Sequence, residues 1–220
     1  MTGVQTCALP ISGDLLVAAG GEPGLVGEAQ LWDLRTGKLV RSYLGHRDSL
    51  YAARLSPDGK LLATAGYDQK IKLWETESGK ELRTLDGHNG PVFDLAFHPS
   101  GRIMATASGD RTVKLWSVAT GERLDTLNQS QQELYCVQFS PDGRSVAAAG
   151  ADNRIRIWAI SDTAREGTNP LRVSQFAHEL PVIRLAYSPD GRTLASAGED
   201  RLVKIWDAET MRIRATLPPQ

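Results

Sequence analysis

Short apolar segments separated by polar turns follow one another along most of the chain. Residues 50–85 show the pattern: LYAARL, KLLATAG, IKLWE and KELRTL alternate with SPDG, YDQK and TESG. The apolar segments are too short for helices and end at Gly or Asp, which is typical of strands joined by tight turns. No longer stretch has the 3.6-residue periodicity of an amphipathic helix. The pattern therefore predicts an all-β chain built from successive hairpins.

The same pattern recurs in register with the tryptophans. Trp32, Trp74, Trp116, Trp158 and Trp206 follow one another at intervals of 42, 42, 42 and 48 residues. Other polar positions keep a fixed distance from the last four tryptophans: Asp68, Asp110, Asp152 and Asp200; His46, His88, Ser130 and His178; Thr64, Thr106, Ala148 and Ser196. A unit of about this length with four short strands is typical of a β-propeller blade.

Three motifs, LGH…KLWE, DGH…KLWS and AH…KIWD, resemble the WD40-repeat β-propeller family over residues 13–217. The Trp-Asp dipeptide itself is kept only at Trp32-Asp33 and Trp206-Asp207. The resemblance implies one three-stranded blade followed by four complete four-stranded blades, arranged as an open arc or a distorted closure. The expected blades cover about residues 13–45, 46–87, 88–129, 130–177 and 178–220.

Residues 1–12, MTGVQTCALPIS, carry no charge and share no pattern with the rest of the chain. Reverse-translated, residues 1–11 resemble a common short-read sequencing adapter read in frame. We therefore expect a non-native leader at 1–12 and a native domain at 13–220. Because propellers of this family most often have seven blades, we also expect a fragment that is truncated at both ends. Its missing blades would belong to the full-length chain.

Charge and cysteine content narrow the possible partners. The chain has 25 Lys and Arg against 26 Asp and Glu, so no strong field attracts nucleic acid or an anionic membrane. No apolar run approaches the roughly 18 residues of a membrane span. Cys7 lies in the leader, which leaves Cys136 without an intramolecular disulfide partner and favours a small buried side chain. We expect neither nucleic acid nor a membrane as a partner. The sequence does not assign the protein to a cellular compartment.

The recurring Asp, His and Ser or Thr are the residue types of an acyl-transfer triad. A hydrolase, however, needs one cleft with an oxyanion hole, and three similar sets around a ring have no reason to be three active sites. The family resemblance implies instead a hydrogen-bonded relay within each blade that ends on the Trp indole. The expected relay residues are His46, Thr64, Asp68, Trp74, His88, Thr106, Asp110, Trp116, Asp152, Trp158, His178, Ser196, Asp200 and Trp206.

The fourth unit departs from this pattern. Ser130 replaces the histidine and Ala148 replaces the hydroxyl residue, while Asp152 and Trp158 are kept. We therefore expect Asp152 to lose its neutralising partners and this blade to be held less firmly.

The resemblance also implies one face where three positions per blade project toward the rim of the central channel. The candidate partner-binding residues there are Tyr51, Tyr67, Phe93, Tyr135, Ile183 and Glu199. Tyr and Phe supply rigid contact area at low entropic cost, which favours a peptide or protein partner. The alternative is that some of these rings only pack against neighbouring blades. Two insertions, within Gly21–Ala29 and at residues 161–170, predict an enlarged hairpin loop and a second long loop.

These observations predict a non-enzymatic protein-interaction scaffold without a cofactor. A catalytic propeller would need unique channel-facing carboxylates or metal ligands. A third hypothesis is an accessory module of a larger bacterial chain, since GTNP, FAH and TLPPQ resemble bacterial WD-repeat regions that follow a cytochrome c-like domain. The haem motif of that domain would have to lie upstream.

Overall fold

The computed structural model describes residues 14–218, and this part of the chain contains strands and turns but no helix. The proposed leader lies outside the described residues. The strands are β1 (Leu15–Glu22), β2 (Val26–Asp33), β3 (Lys38–His46), β4 (Leu50–Leu55), β5 (Leu61–Gly66), β6 (Ile71–Glu75), β7 (Glu81–Leu85), β8 (Val92–Phe97), β9 (Ile103–Ser108), β10 (Val113–Ser117), β11 (Arg123–Leu127), β12 (Leu134–Phe139), β13 (Ser145–Gly150), β14 (Arg154–Ala159), β15 (Leu171–Phe176), β16 (Val182–Tyr187), β17 (Thr193–Gly198), β18 (Val203–Asp207) and β19 (Ile213–Leu217).

The strands form five antiparallel sheets in which consecutive strands are neighbours. Blade 1 contains β1–β3, blade 2 contains β4–β7, blade 3 contains β8–β11, blade 4 contains β12–β15 and blade 5 contains β16–β19. The all-β prediction and the division into one three-stranded and four four-stranded sheets are confirmed for the described residues.

The hydrophobic core lies between consecutive blades, because each sheet buries one face against the sheet before it. Trp74 packs with Val17 and Leu31 of blade 1, and Trp206 packs with Ile155 and Ile157 of blade 4. The innermost strands β4, β8, β12 and β16 pack side by side in that order, and β1 packs against β4. Trp74, Trp116, Trp158 and Trp206 thus each join their blade to the blade before it.

The two terminal blades are covered on one face only. In β9 every residue is buried, and in β5 and β13 all but the first are. In β1 and β17 the buried residues alternate with partly exposed ones, the pattern of a sheet with one solvated face. The five sheets are therefore not closed into a barrel, in agreement with the predicted open arrangement.

A buried carboxylate links three of the inner strands. Asp94 on β8 pairs with the guanidinium of Arg54 on β4 at 3.0 Å, and its other carboxylate oxygen accepts the Val137 N–H of β12 at 3.2 Å. The Asp94 side chain is 2% exposed. The sequence analysis missed this residue, because it has no counterpart in the other repeats.

Both insertions are more ordered than the predicted loops. The first lengthens a hairpin: β1 and β2 pair as far as Glu22 and Val26, and the Gly24 N–H at the tip donates to Asp48 Oδ1 at 2.9 Å. The enlarged loop predicted there is therefore wrong. Gly21 makes the long hairpin possible, since its φ is 151° and an added Cβ would lie 2.2 Å from the Val26 carbonyl oxygen.

The second insertion folds back onto blade 3. The Glu166 N–H donates to the Leu124 carbonyl at 3.0 Å, and Asn169 Nδ2 donates to Asp125 Oδ2 at 2.6 Å. Ala164 is fully buried in the core between blades 3 and 4. Residues 161–170 thus fasten the outer part of blade 4 to β11.

Candidate functional site

Blade 2 contains a continuous chain of hydrogen bonds from its tryptophan to its aspartate. The Trp74 indole donates to Thr64 Oγ1 at 2.8 Å, and Thr64 Oγ1 lies 2.9 Å from His46 Nε2. His46 Nδ1 lies 2.9 Å from Asp68 Oδ2. The Thr64 hydroxyl thus accepts from the indole and pairs with one imidazole nitrogen, while the other imidazole nitrogen pairs with the carboxylate. The indole, the hydroxyl, the imidazole and the carboxylate of this relay therefore all have hydrogen-bond partners.

Blades 3 and 5 repeat this geometry. In blade 3 the indole-to-hydroxyl, hydroxyl-to-imidazole and imidazole-to-carboxylate distances are 2.9, 2.7 and 2.7 Å, and in blade 5 they are 2.8, 2.7 and 2.9 Å. The residues involved are Trp116, Thr106, His88 and Asp110 in blade 3, and Trp206, Ser196, His178 and Asp200 in blade 5.

Electrostatics in blade 3 favour a neutral histidine beside an ionised aspartate. Burial lowers the pKa of His88 more than the hydrogen bond to Asp110 raises it. Burial also opposes ionisation of Asp110, but the hydrogen bonds from His88, Thr112 and the Asn89 N–H outweigh it and hold the pKa of that carboxyl well below its usual range. The relay of blade 3 thus keeps one negative charge on Asp110, at the end away from the Trp116 indole.

The three sets cannot present a nucleophile to a substrate. Thr64 and Thr106 are fully buried and Ser196 is 1% exposed, and each hydroxyl already binds an indole. A serine or threonine nucleophile must reach a scissile carbonyl beside an oxyanion hole. The geometry therefore favours a structural role for these residues.

Blade 4 replaces the relay with a different set of partners. Asp152 pairs with Arg156 at 2.6 Å and also accepts from Ser130 Oγ at 3.2 Å. The Trp158 indole donates to Gln129 Oε1 at 2.7 Å, in place of the missing hydroxyl. The expectation that Asp152 would lack a neutralising partner is wrong, because the guanidinium of Arg156 reaches it from the same hairpin.

Sequence reasoning missed both Gln129 and Arg156. Arg156 stands two residues before its tryptophan, where Lys72 and Lys114 stand in blades 2 and 3. Gln129 replaces the glycine of the Gly-His pair in the unit that also loses the histidine and the hydroxyl residue. Several positions of the fourth unit depart from the repeat together, and this was the signal in the sequence that the unit has different hydrogen-bond partners.

Four of the candidate partner-binding residues form a continuous run of rings, called here the aromatic run. Tyr51 lies 6.4 Å from Tyr67 and 5.2 Å from Phe93, and Phe93 lies 5.3 Å from Tyr135, measured between ring centroids. The run crosses blades 2, 3 and 4. Tyr67 is 52% exposed, and the other three rings are partly exposed. The rings therefore pack against one another across blades and also present surface to solvent.

Carboxylates border the aromatic run. Glu133 Oε2 accepts a hydrogen bond from the Tyr135 hydroxyl at 3.1 Å. Burial raises the pKa of Tyr135, and the charges of Glu133 and Glu199 raise it further. Burial likewise raises the pKa of Tyr51, with added contributions from Tyr67 and Asp48. The face around the rings thus carries negative charge.

The last two candidates lie toward blade 5. Ile183 lies on β16 and is 40% exposed, and Glu199 is exposed in the turn between β17 and β18. Glu199 is close enough to act on the Tyr135 hydroxyl, whereas Ile183 carries no ring and is not part of the aromatic run.

Residues 14–218 contain no group of three or more His, Cys, Asp or Glu side chains placed to hold a metal ion. None of their elements is a helix long and apolar enough to cross a membrane. Cys136 is fully buried, and burial raises the pKa of its thiol.

Comparison with known proteins agrees with this architecture. The family model for WD40, described as WD domain, G-beta repeat, matches residues 37–75, 79–117, 121–159 and 169–207. Each matched segment begins just before the outer strand of one blade and ends with the third strand of the next. No curated protein matched the chain. Since the four matches cover more than half of the sequence, the chain belongs to the WD40 repeat family, whose domains generally serve as protein-interaction scaffolds.

Proposed function

We propose that the aromatic run binds an extended peptide segment of a protein partner. The observation that carries the proposal is the unbroken series of ring contacts from Tyr67 through Tyr51 and Phe93 to Tyr135. It provides a rigid, partly exposed surface that crosses three blades. Rings held in place by their neighbours lose little entropy on binding, so their contact area contributes to affinity.

The buried relays support this function indirectly. The relay aspartates Asp68 and Asp110 hold the turns that follow β5 and β9, and Tyr67 of the aromatic run projects from the first of these turns. Both aspartates also accept backbone N–H groups of the turns that contain them. A binding face supported by satisfied buried networks keeps its shape without a partner.

A random peptide library displayed on phage tests the proposal, with the full chain as the immobilised target. We expect enriched peptides whose binding is lost on Phe93→Ala. Phe176→Ala is the matched control, because Phe176 is a 45% exposed ring on β15, away from the run. Thermal melts of both variants show whether the fold is kept. Selection of no peptide, or binding that survives Phe93→Ala, would refute the proposal.

A further inference from the structure

An open groove lies between the outer parts of blades 2 and 3, and it is called here the blade 2–3 groove. Its volume is about 760 Å³, and its lining includes Leu61, Leu82, Arg83, Arg102, Val118 and Ala119. Leu61 is the first residue of β5, whereas Tyr67 of the aromatic run follows the last residue of that strand. The blade 2–3 groove and the aromatic run therefore lie at opposite ends of the strands.

The repeat shows what can occupy such a groove, because the corresponding position between blades 3 and 4 is covered by the chain itself. The residues one 42-residue period after Leu82, Arg83 and Val118 are Leu124, Asp125 and Ile160. Residues 161–170 form hydrogen bonds to Leu124 and Asp125, and Leu124 and Ile160 pack against the hydrophobic cluster that contains Ala164. The 161–170 segment is thus a template for a ligand of the blade 2–3 groove.

Three contacts hold this segment in place. The small side chain of Ala164 is fully buried, and Leu124 packs against the same cluster. The Glu166 N–H donates to the Leu124 carbonyl at 3.0 Å, and the Asn169 side chain donates to Asp125 Oδ2 at 2.6 Å. A turn therefore docks at this position with one small apolar side chain, one backbone N–H and one polar side chain.

The blade 2–3 groove has the same backbone features but not the same cover. The strand pairing skips Leu82 in β7 as it skips Leu124 in β11, so the two leucines stand at equivalent bulges. The turn between β10 and β11, residues 118–122, is shorter than residues 160–170 between β14 and β15. Leu82 is accordingly 45% exposed, while Leu124 is partly buried. An apolar contact from a ligand would bury this leucine and contribute to binding.

The two positions differ in charge. Arg83 stands where Asp125 stands one blade later, and Arg102 also lines the groove. Neither arginine forms an ion pair with a carboxylate of residues 14–218. Arg83 Nη2 donates to the Ala119 carbonyl at 2.6 Å, which holds the guanidinium at the wall of the groove. A guanidinium has five N–H donors, and a carboxylate is the acceptor whose geometry matches them.

We propose that the blade 2–3 groove binds a turn segment of a protein partner, in which a small apolar residue is followed by an aspartate or glutamate. The small side chain packs beside Leu82 and Val118, as Ala164 packs beside their counterparts. The carboxylate pairs with Arg83, because this residue replaces the aspartate that binds Asn169 in the next blade. This second site goes beyond the proposed function and does not depend on it.

A second phage library, of short turn segments closed by a disulfide, tests the proposal with the full chain as the target. We expect peptides that lose binding on Leu82→Glu, keep it on Phe93→Ala, and carry Ala, Gly or Ser followed by Asp or Glu. Arg83→Glu should weaken these peptides about tenfold or more. Replacing their acidic residue by Lys should abolish binding to the unsubstituted chain and restore binding to Arg83→Glu.

Arg212→Glu is the matched control, because it reverses the charge of an exposed arginine on blade 5, outside the groove. Thermal melts of each variant show whether the fold is kept. If Leu82→Glu fails to fold, Arg83→Glu and the charge exchange decide the question.

Two outcomes would overturn the inference. The first is that no selected peptide loses binding on Leu82→Glu or Arg83→Glu. The second is that the peptides sensitive to Leu82→Glu are neutral or basic, or bind Arg83→Glu as tightly as the unsubstituted chain. Neither outcome bears on the aromatic run, which is tested with the first library and Phe93→Ala.

Discussion

Gln129 Oε1 accepts the indole N–H of Trp158 at 2.7 Å, in the one complete blade whose relay lacks both histidine and hydroxyl among the described residues. In blades 2, 3 and 5 a hydroxyl on the second strand performs this task. The glutamine reaches the same indole from the segment between β11 and β12. A buried indole needs an acceptor in every blade, and blade 4 meets that need with a different residue.

Gln129→Ala should destabilise the protein by about 1–3 kcal/mol, because it leaves a fully buried indole donor without a partner. Chemical denaturation monitored by tryptophan fluorescence measures the change. Gln132→Ala is the control, since that side chain is exposed and close in sequence. Equal stability of the two variants would show that the indole finds another acceptor.

Arg156→Met should destabilise the protein more than Gln129→Ala does, by about 3–5 kcal/mol. The reason is that the buried carboxylate of Asp152 loses its countercharge. The Arg156 side chain is 4% exposed. Lys70→Met breaks the exposed pair between Lys70 and Asp86 and should cost no more than about 1 kcal/mol. Denaturation midpoints of the two variants give the comparison. If Arg156→Met lowers the free energy of unfolding by as little as Lys70→Met does, water or Ser130 compensates the negative charge of Asp152.

The stability of the protein should fall as pH decreases below about 6.5, in part because of His88. Burial lowers the pKa of His88 in the folded state below the ordinary histidine value of about 6.5, so the unfolded chain takes up the proton first as pH falls. The stabilising contribution is therefore complete above pH 6.5 and is lost as pH falls through the folded pKa. We expect His88→Gln to have a shallower loss of melting temperature between about pH 7.5 and 5.5 than the unsubstituted chain.

His98→Gln provides the control for that experiment. His98 is more exposed than His88 and lies outside the relays, in the turn after β8. It should keep most of the original pH dependence. If His88→Gln and the unsubstituted chain lose melting temperature in parallel, the neutral state assigned to His88 is wrong.

Residues 13–220 expressed alone should associate as concentration rises, because blade 5 presents apolar side chains to solvent. Ile213 and Leu217 on its outer strand are 51% and 48% exposed. An edge strand with exposed apolar residues can pair with another chain. Size-exclusion chromatography with light scattering measures the mass, and Ile213→Lys should reduce association. Leu82→Lys, at a 45% exposed position in the outer strand of blade 2, should have less effect. A monodisperse monomer at every concentration would contradict the prediction.

The sequence alone determined the fold class and the periodicity. Tryptophans at a constant spacing, SPDG turns and short apolar segments are local signals that recur in each unit, so the five sheets and their strand order could be read directly. The relay positions in blades 2, 3 and 5 could be listed for the same reason, and the structure brings those residues within hydrogen-bond distance. Partner chemistry and the adapter origin of the leader stay predictions.

Only the tertiary structure decided where the repeat is broken. Gln129 binds an indole 29 residues away, Asp94 joins strands of three blades, and residues 161–170 attach to the blade before their own. These partners are distant in sequence and occur once, so no periodic signal marks them. They are selected by proximity after the blades pack, when each buried polar group must find a partner within reach.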